Sequence, residues 1–215
     1  MSQVAIVIGA TGLVGKALVK QLTKAEHISK VVTLTRRSET YDSAKVNNQV
    51  IDFARLEQYA DLFKAELLFS CLGTTLKQAG SVEAQRKVDL SYQLKVAQLA
   101  VDNGVEHYLL VSSSGANSSS RSSYLKMKGE LEEQVKKLPF KQISIFQPSL
   151  LIGARASFRL GEKLAAWLMP VLCIIPGLRR YRPITGEQVA AKMLTVSQQP
   201  SSELSYYRLD EIFTD

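Results

Sequence analysis

The chain has 215 residues, of which 46% are hydrophobic and 22% are charged, and its formal net charge is +7. This composition excludes a disordered chain and predicts an ordinary globular core. The basic residues are dispersed and match no zinc-finger, RNA-recognition or helix-turn-helix pattern, so we expect no nucleic-acid partner. The only cysteines, Cys71 and Cys173, lie far apart in the sequence. We therefore expect free thiols, no metal site and, because no basic leader follows Met1, a cytoplasmic protein.

Apolar runs of strand length alternate with amphipathic runs of helix length as far as Pro148. In chain order, they predict strands over Val4–Ile8, Lys30–Thr35, Gln49–Ile51, Leu67–Cys71, His107–Val111 and Ile143–Phe146. The helices are predicted over Leu13–Lys24, Leu56–Phe63, Ser81–Asn103 and Ser122–Leu138. This alternation is typical of βα units around a parallel sheet. The predicted fold class is therefore α/β, a Rossmann doubly wound parallel sheet with a small C-terminal elaboration.

The regular alternation stops after Pro148. Only a helix from Gly186 to about Val196 and a short strand over Tyr206–Leu209 are clear there. We expect one NAD(P)-binding Rossmann domain over residues 1–215, with residues 149–215 forming a small region on the substrate side.

The most apolar segment of the chain is Leu164–Leu178, which Pro170 and Pro176 interrupt. It is shorter than the roughly 20 residues that a spanning helix needs. We expect a buried or interface segment. Arginines on both sides leave peripheral contact with an anionic membrane as the alternative.

A glycine-rich turn follows the first predicted strand and opens the first predicted helix. Its first glycine permits a sharp turn, its second lets backbone amides approach a pyrophosphate, and its third lets helix and strand pack closely. The helix N-terminus then presents N–H groups and a positive dipole to the phosphates. The turn predicts a dinucleotide site made by Gly9, Thr11, Gly12, Leu13, Val14 and Gly15.

The end of the second predicted strand indicates which dinucleotide binds. NAD-selective sites place a carboxylate there to accept from the ribose 2′-hydroxyl. Here Thr35 is followed by Arg36 and Arg37, and the first carboxylate is that of Glu39. Two guanidinium groups suit a 2′-phosphate by charge and by forked hydrogen bonding. We therefore expect NADP(H) in preference to NAD(H).

A candidate catalytic set follows the fifth predicted strand. Tyr124 and Lys128 are four residues apart and share one face of a predicted helix. Phenols have a pKa of about 10, and a neighbouring cation favours the ionised form that acid–base catalysis needs. A serine at the strand end can hold a substrate oxygen. Ser113 is the first choice, with Ser112 and Ser114 as alternatives.

These motifs resemble those of the extended and atypical branches of the short-chain dehydrogenase/reductase superfamily. The closer similarity is to the Tat-interactive-protein branch of the atypical members, and it covers nearly the whole chain. The similarity is carried by the runs Cys71–Thr75, Val88–Tyr92, Ser112–Asn117, Tyr124–Glu130 and Phe146–Leu151.

This resemblance implies an NADPH-binding Rossmann domain with a Ser-Tyr-Lys set and a poorly defined substrate. In the helix before strand five, relatives often carry an Asn that holds a proton-relay water. Asp89 stands at that position here. The resemblance adds further cofactor contacts, at Asp52, Phe53, Cys71, Leu72, Gly73, Thr74, Ser112, Tyr124, Lys128, Pro148 and Leu150.

The sequence thus favours an NADPH-dependent oxidoreductase acting on a small carbonyl compound. An NADP(H)-binding sensor that acts through a protein partner is the alternative, and a peripheral membrane protein is the third interpretation. Monomer and homodimer both stay open.

Overall fold

A computed structural model of the protein describes residues 2–153, 179–199 and 202–214. The strands are β1 Gln3–Ile8, β2 Ile28–Thr35, β3 Val46–Val50, β4 Leu67–Ser70, β5 His107–Val111, β6 Gln142–Gln147, β7 Leu151–Ile152, β8 Ile184–Thr185 and β9 Leu204–Arg208. The α-helices are α1 Leu13–Leu22, α2 Leu76–Ala79, α3 Val82–Arg86, α4 Gln93–Asp102, α5 Ser123–Val135 and α6 Gly186–Ser197. A π-helical turn over Lys87–Tyr92 joins α3 to α4, and 3-10 segments cover Phe53–Phe63, Arg179–Tyr181 and Leu209–Ile212.

Seven strands form one parallel sheet in the order β3-β2-β1-β4-β5-β6-β9. The predicted Rossmann doubly wound sheet is confirmed. Strand β1 pairs with β2 on one side and with β4 on the other, so the direction of winding reverses there. Ligands of open α/β sheets bind beyond the carboxyl ends of the strands at this reversal. The glycine turn follows β1 at that point.

Alternate residues of β1 pack against different helix layers. Ala5 and Val7 face the layer that contains α1 and α6, whereas Ile6 and Ile8 face the layer that contains α4 and α5. All four side chains are fully buried. Burial on both faces explains why the strand appears in the sequence as a continuous apolar run.

Local signals set the helix ends. The hydroxyl of Ser81 accepts a hydrogen bond from the backbone N–H of Ala84 and caps α3. Gly104, with φ of +89°, follows the end of α4, as the Asn103-Gly104 pair predicts. Thr185 and Gln188 form a reciprocal capping box at the start of α6.

Several predicted elements differ from those observed. The predicted helix over Leu56–Phe63 is a 3-10 segment, because Arg55 and Tyr59 have non-helical backbone angles. The predicted helix over Ser81–Asn103 is divided into α3, the π-helical turn and α4. The last strand, predicted over Tyr206–Leu209, ends at Arg208 because Leu209 has a φ of +49°.

Strands β7 and β8, of two residues each, pair in a separate small sheet and were not predicted, because so short a run carries no periodicity. The segment Leu164–Leu178 and Cys173 lie outside the described residues. None of the helices in the described ranges combines the length and the hydropathy that a membrane span requires.

Candidate active site

The glycine turn is packed so closely that only glycine fits at two of its positions. Gly9 has a φ of +74°, and a Cβ atom there would overlap the backbone of Cys71 and lie 2.5 Å from the Leu72 nitrogen. A Cβ atom on Gly15 would overlap the carbonyl group of Gly9. These contacts place the start of α1 directly against the ends of β1 and β4.

The N-terminus of α1 is suited to an anion. Gly12 occupies the cap position, and within the described chain no side chain caps this end and no acidic residue lies in its first turn. The first N–H groups of a helix have no acceptor within the helix, so those of Leu13 and Val14 stay available. The positive end of the helix dipole adds to their attraction for phosphate. This donor set fits the pyrophosphate of a dinucleotide.

A cleft of about 830 Å³ opens beside this helix end. It is lined by the first residues of α1, by α2, α3 and the π-helical turn, by the segments that follow β4, β5 and β6, and by the first turns of α5. Of the residues singled out in the sequence, it brings together Leu13, Val14, Cys71, Leu72, Gly73, Thr74, Asp89, Ser112, Ser113, Ser114, Tyr124, Lys128, Pro148 and Leu150.

The predicted cofactor residues that do not line this cleft are Gly9, Thr11, Gly12 and Gly15 of the glycine turn, and Arg36, Arg37, Asp52 and Phe53. Arg36 and Arg37 are exposed on the bend after β2. Ile8 pairs with Leu34, so the bend lies beside the glycine turn. The Thr35 hydroxyl donates to the Arg37 carbonyl oxygen at 2.7 Å, which fixes the backbone of the bend. Both guanidinium groups are therefore accessible next to the predicted ribose site.

Asp52 and Phe53 have structural partners. The Asp52 carboxylate accepts from the backbone N–H of Ala54 at 2.8 Å and caps the 3-10 segment. The Phe53 side chain is buried, with its ring 5.7 Å from the ring of Tyr92. A cofactor contact by Phe53 would therefore involve its backbone.

Lys128 and Asp89 form a buried ion pair in the cleft. The Lys128 Nζ atom is 3.3 Å from Asp89 Oδ1, and their side chains are 3% and 1% exposed. The second carboxylate oxygen of Asp89 accepts from the backbone N–H of Thr74 at 3.0 Å. Asp89 thus connects the π-helical turn to α5 and to the loop after β4.

The three serines after β5 are not equivalent. The hydroxyl of Ser112 donates to the carboxylate of Glu132, which is 5% exposed. The side-chain amide of Gln147 donates to both oxygens of Glu132, at 3.0 and 3.1 Å. The Nε–H group of Arg208 donates to Gln147 Oε1 at 3.1 Å. Ser112 is therefore part of a polar chain that runs through Glu132 and Gln147 to β9.

Ser113 has a weaker partner. Among the described residues its hydroxyl makes one long contact, 3.5 Å to the carbonyl oxygen of Ser114. The backbone N–H of Ser114 donates to the Pro148 carbonyl oxygen at 3.0 Å and holds the loop against the end of β6. Unlike the hydroxyl of Ser112, that of Ser113 thus stays available to a ligand.

The sequence interpretation missed Glu132 and Arg208, and it included Gln147 only as part of the run Phe146–Leu151 that resembles relatives. One signal was present, since Tyr124, Lys128 and Glu132 recur at intervals of four residues on α5 and so share one face. The contributions of Gln147 and Arg208 depend on the order of the strands.

Cys71 is a wall residue of the cleft. Desolvation raises the pKa of its thiol to about 12, although the charge of Lys128 opposes the shift. The thiolate is the nucleophilic form of cysteine. The raised pKa therefore keeps the Cys71 thiol protonated at neutral pH, which disfavours a nucleophilic role.

Comparisons with known proteins agree with this architecture. The model of the family described as "NAD dependent epimerase/dehydratase family" matches residues 5–163. Protein HTATIP2 of Rattus norvegicus is 40% identical over 163 residues, which are 74% of this chain and 67% of that protein. Protein FMP52, mitochondrial, of Saccharomyces cerevisiae is 34% identical over 199 residues, which are 86% of this chain and 83% of that protein.

Solved structures show the same fold. The Bordetella bronchiseptica enzyme WbmH, in complex with NAD+, superposes with a TM-score of 0.75 at 12% identity and covers 97% of this chain and 75% of its own. A short-chain dehydrogenase/reductase superfamily protein from Agrobacterium tumefaciens with bound NAD superposes with a TM-score of 0.74 at 14% identity. The match covers 96% of this chain and 77% of that protein's chain.

The prediction of a cytoplasmic location is wrong. Fungal relatives at 33% to 35% identity are named mitochondrial proteins. The expectation depended on the lack of a secretory leader and on unpaired cysteines. Neither feature distinguishes the cytosol from other compartments inside the cell.

Proposed function

Because the chain belongs to the NAD dependent epimerase/dehydratase family of short-chain dehydrogenase/reductase-like proteins, we propose that it is an NADPH-dependent oxidoreductase that reduces a carbonyl compound. One observation carries this proposal: Ser113, Tyr124 and Lys128 line a single cleft that begins at the glycine turn. The activity, the Ser-Tyr-Lys roles and the choice of NADPH are all parts of the proposal.

The glycine turn and the N-terminus of α1 would hold the pyrophosphate, and Arg36 and Arg37 would pair with the 2′-phosphate. Leu72, Gly73 and Thr74 after β4 and Pro148 and Leu150 after β6 would form the walls around the cofactor. When bound, NADPH would supply a hydride to the carbonyl carbon.

The chain's own residues would supply the proton and the orientation. Ser113 would donate a hydrogen bond to the carbonyl oxygen and orient the carbonyl group. The phenol of Tyr124 would give its proton to that oxygen as the alcohol forms. Lys128, one helical turn from Tyr124, would stabilise the phenolate that is left.

The test measures NADPH consumption by the purified chain with a panel of aldehydes and ketones. We expect turnover that falls at least about 100-fold in Tyr124→Phe, a loss typical of removing a general acid. The Kd for NADPH should change far less than the turnover in this variant, because the aromatic ring is kept. Tight NADPH binding with no consumption across the panel would contradict the proposal.

A second candidate is an NADP(H)-binding sensor with little turnover that acts through a protein partner. The observation that favours it is the ion pair between Lys128 and Asp89, because Asp89 neutralises the cation that Tyr124 needs. Pull-down with and without NADPH tests it. Capture of the same partner regardless of NADPH would exclude sensing.

A further inference from the structure

The charged side chains of the cleft, among the residues that the structure describes, form one ion pair. Among the described residues that line the cleft, only Asp89 and Lys128 carry a charge at neutral pH. They lie 3.3 Å apart and are almost completely buried, so they neutralise each other. A charged substrate group would have to leave water without an unpaired partner of opposite charge, which is costly.

Apolar side chains from four different elements surround the same cleft. Leu76 on α2 is 51% exposed, Val82 on α3 is 46%, Tyr181 in a 3-10 segment is 47%, and Leu150 after β6, which would also contact the cofactor, is 44%. Single exposed apolar residues are normal on protein surfaces. Convergence of four of them on one concave site is different, because contiguous apolar surface marks a binding site.

Hydrogen-bonding groups lie in the same cleft, at Ser113 and Tyr124. Ser113 and Tyr124 can therefore donate to one carbonyl oxygen, while the four apolar side chains can contact the rest of a ligand. We propose that the substrate is an uncharged carbonyl compound with an apolar body of several carbons. This inference rests on the proposed function and narrows it to one substrate class.

Three ketones of graded chemistry test the proposal on the full chain saturated with NADP+. Octan-2-one has the apolar body, butan-2-one lacks four of its carbons, and 7-oxooctanoate carries a carboxylate in place of the terminal methyl group. Isothermal titration calorimetry gives the three Kd values. Each fully buried methylene strengthens binding by about fourfold, so we expect octan-2-one to bind at least about tenfold more tightly than butan-2-one. We expect 7-oxooctanoate to bind at least about tenfold more weakly than octan-2-one.

A matched pair of variants tests the rim. Val82→Ser should weaken octan-2-one binding about threefold through lost apolar contact, with the Kd for NADP+ unchanged. Val50→Ser is the control, because Val50 is 52% exposed but lies outside the cleft. It should change neither Kd. Equal effects of the two variants would overturn the assignment of the rim.

The outcomes separate this inference from the proposed function. Selective binding of octan-2-one without its reduction would support the apolar substrate class and contradict the oxidoreductase. Reduction of 7-oxooctanoate as efficiently as octan-2-one would support the oxidoreductase and contradict the apolar substrate class. Failure of all three ketones to bind would overturn the substrate class.

Discussion

The ammonium group of Lys128 is held 3.3 Å from the carboxylate of Asp89 in the interior of the cleft. Removing one partner of a buried pair leaves the other charge uncompensated, at a cost of about 3–5 kcal/mol. We expect Asp89→Asn to lower the free energy of unfolding by about this amount in urea titration.

The double variant Asp89→Asn with Lys128→Met tests the coupling. It should be clearly more stable than the sum of the two single variants predicts, because no unpaired charge is left. The control is Glu57→Gln, which breaks the exposed pair between Glu57 and Lys95 and should leave the unfolding midpoint nearly unchanged. Additive single effects at Asp89 and Lys128 would contradict the ion pair.

The hydroxyl of Ser112 is bound to Glu132, whereas that of Ser113 is available. We therefore expect Ser113→Ala to lower kcat/KM for a carbonyl substrate by about 100-fold, as loss of a donor to a reacting oxygen does. Ser112→Ala should mainly reduce stability, by about 1–2 kcal/mol, because Glu132 loses a donor. Steady-state kinetics and urea unfolding of both variants provide the test, and the opposite pattern would assign the role to Ser112.

Gly9→Ala should destabilise the protein severely. Gly9 has a φ of +74° and no room for a Cβ atom beside Cys71. Gly104→Ala is the matched control, because Gly104 has a φ of +89° but open space around it. Gly104→Ala should lower the free energy of unfolding only by the penalty for a left-handed backbone, which is about 1–2 kcal/mol. Urea unfolding compares the two variants, and equal losses would show that the close approach to β4 is unimportant.

The double variant Arg36→Ala/Arg37→Ala should weaken NADPH binding by about tenfold or more, because it removes charge-assisted hydrogen bonds to the 2′-phosphate. NADH binding should be unchanged, since NADH lacks that phosphate. Lys30→Ala serves as the control, because Lys30 is an exposed cation near the opposite end of β2. Fluorescence titration with both nucleotides gives the Kd values. Equal losses for NADPH and NADH would contradict the predicted preference.

His107 should make stability depend on pH. Its ring is buried with Nε2 2.9 Å from the Ser144 hydroxyl, and desolvation lowers its pKa from 6.5 to about 4. The unfolded chain therefore takes up the proton first as the pH falls. The contribution of neutral His107 to the free energy of unfolding is complete above pH 6.5 and is lost as the pH falls towards 4. The free energy of unfolding should therefore fall by about 2 kcal/mol between pH 7 and pH 5.

Urea unfolding of His107→Gln tests this dependence, because the carboxylates titrate equally in both proteins and the difference isolates His107. His27→Gln is the control, since His27 is only partly buried. It should retain most of the pH dependence. A His107→Gln variant with the unaltered pH profile would contradict the prediction.

The sheet and the glycine turn could be predicted because their signals are local. Buried parallel strands are apolar runs, and the turn after β1 needs glycine for steric reasons that any sequence must obey. The end of the helix before β5 is likewise a local signal, because Gly104 follows it in the left-handed region. The 3-10 segment was predicted as a helix because its apolar spacing has helical period, while its backbone kinks at Arg55 and Tyr59 leave no trace in that spacing.

The interior of the site could be predicted only in part. The spacing of Tyr124 and Lys128 on one helix is visible in the sequence, and Asp89 was noted as a departure from relatives. Its pairing with Lys128 depends on how the π-helical turn meets α5, which no local pattern records. The choice between Ser112 and Ser113 depends on Glu132, whose partners come from β6 and β9.

The polar chain through Glu132 has a consequence for the timing of folding. Gln147 receives its hydrogen bond from Arg208, 61 residues later in the chain. A ribosome adding about 5–20 residues per second needs roughly 3–12 s to cover that distance. During this interval the nascent chain already contains Ser112, Glu132 and Gln147 but lacks Arg208, whose guanidinium group donates to the side-chain oxygen of Gln147. The serine loop of the cleft should therefore acquire its final order only after β9 has left the exit tunnel.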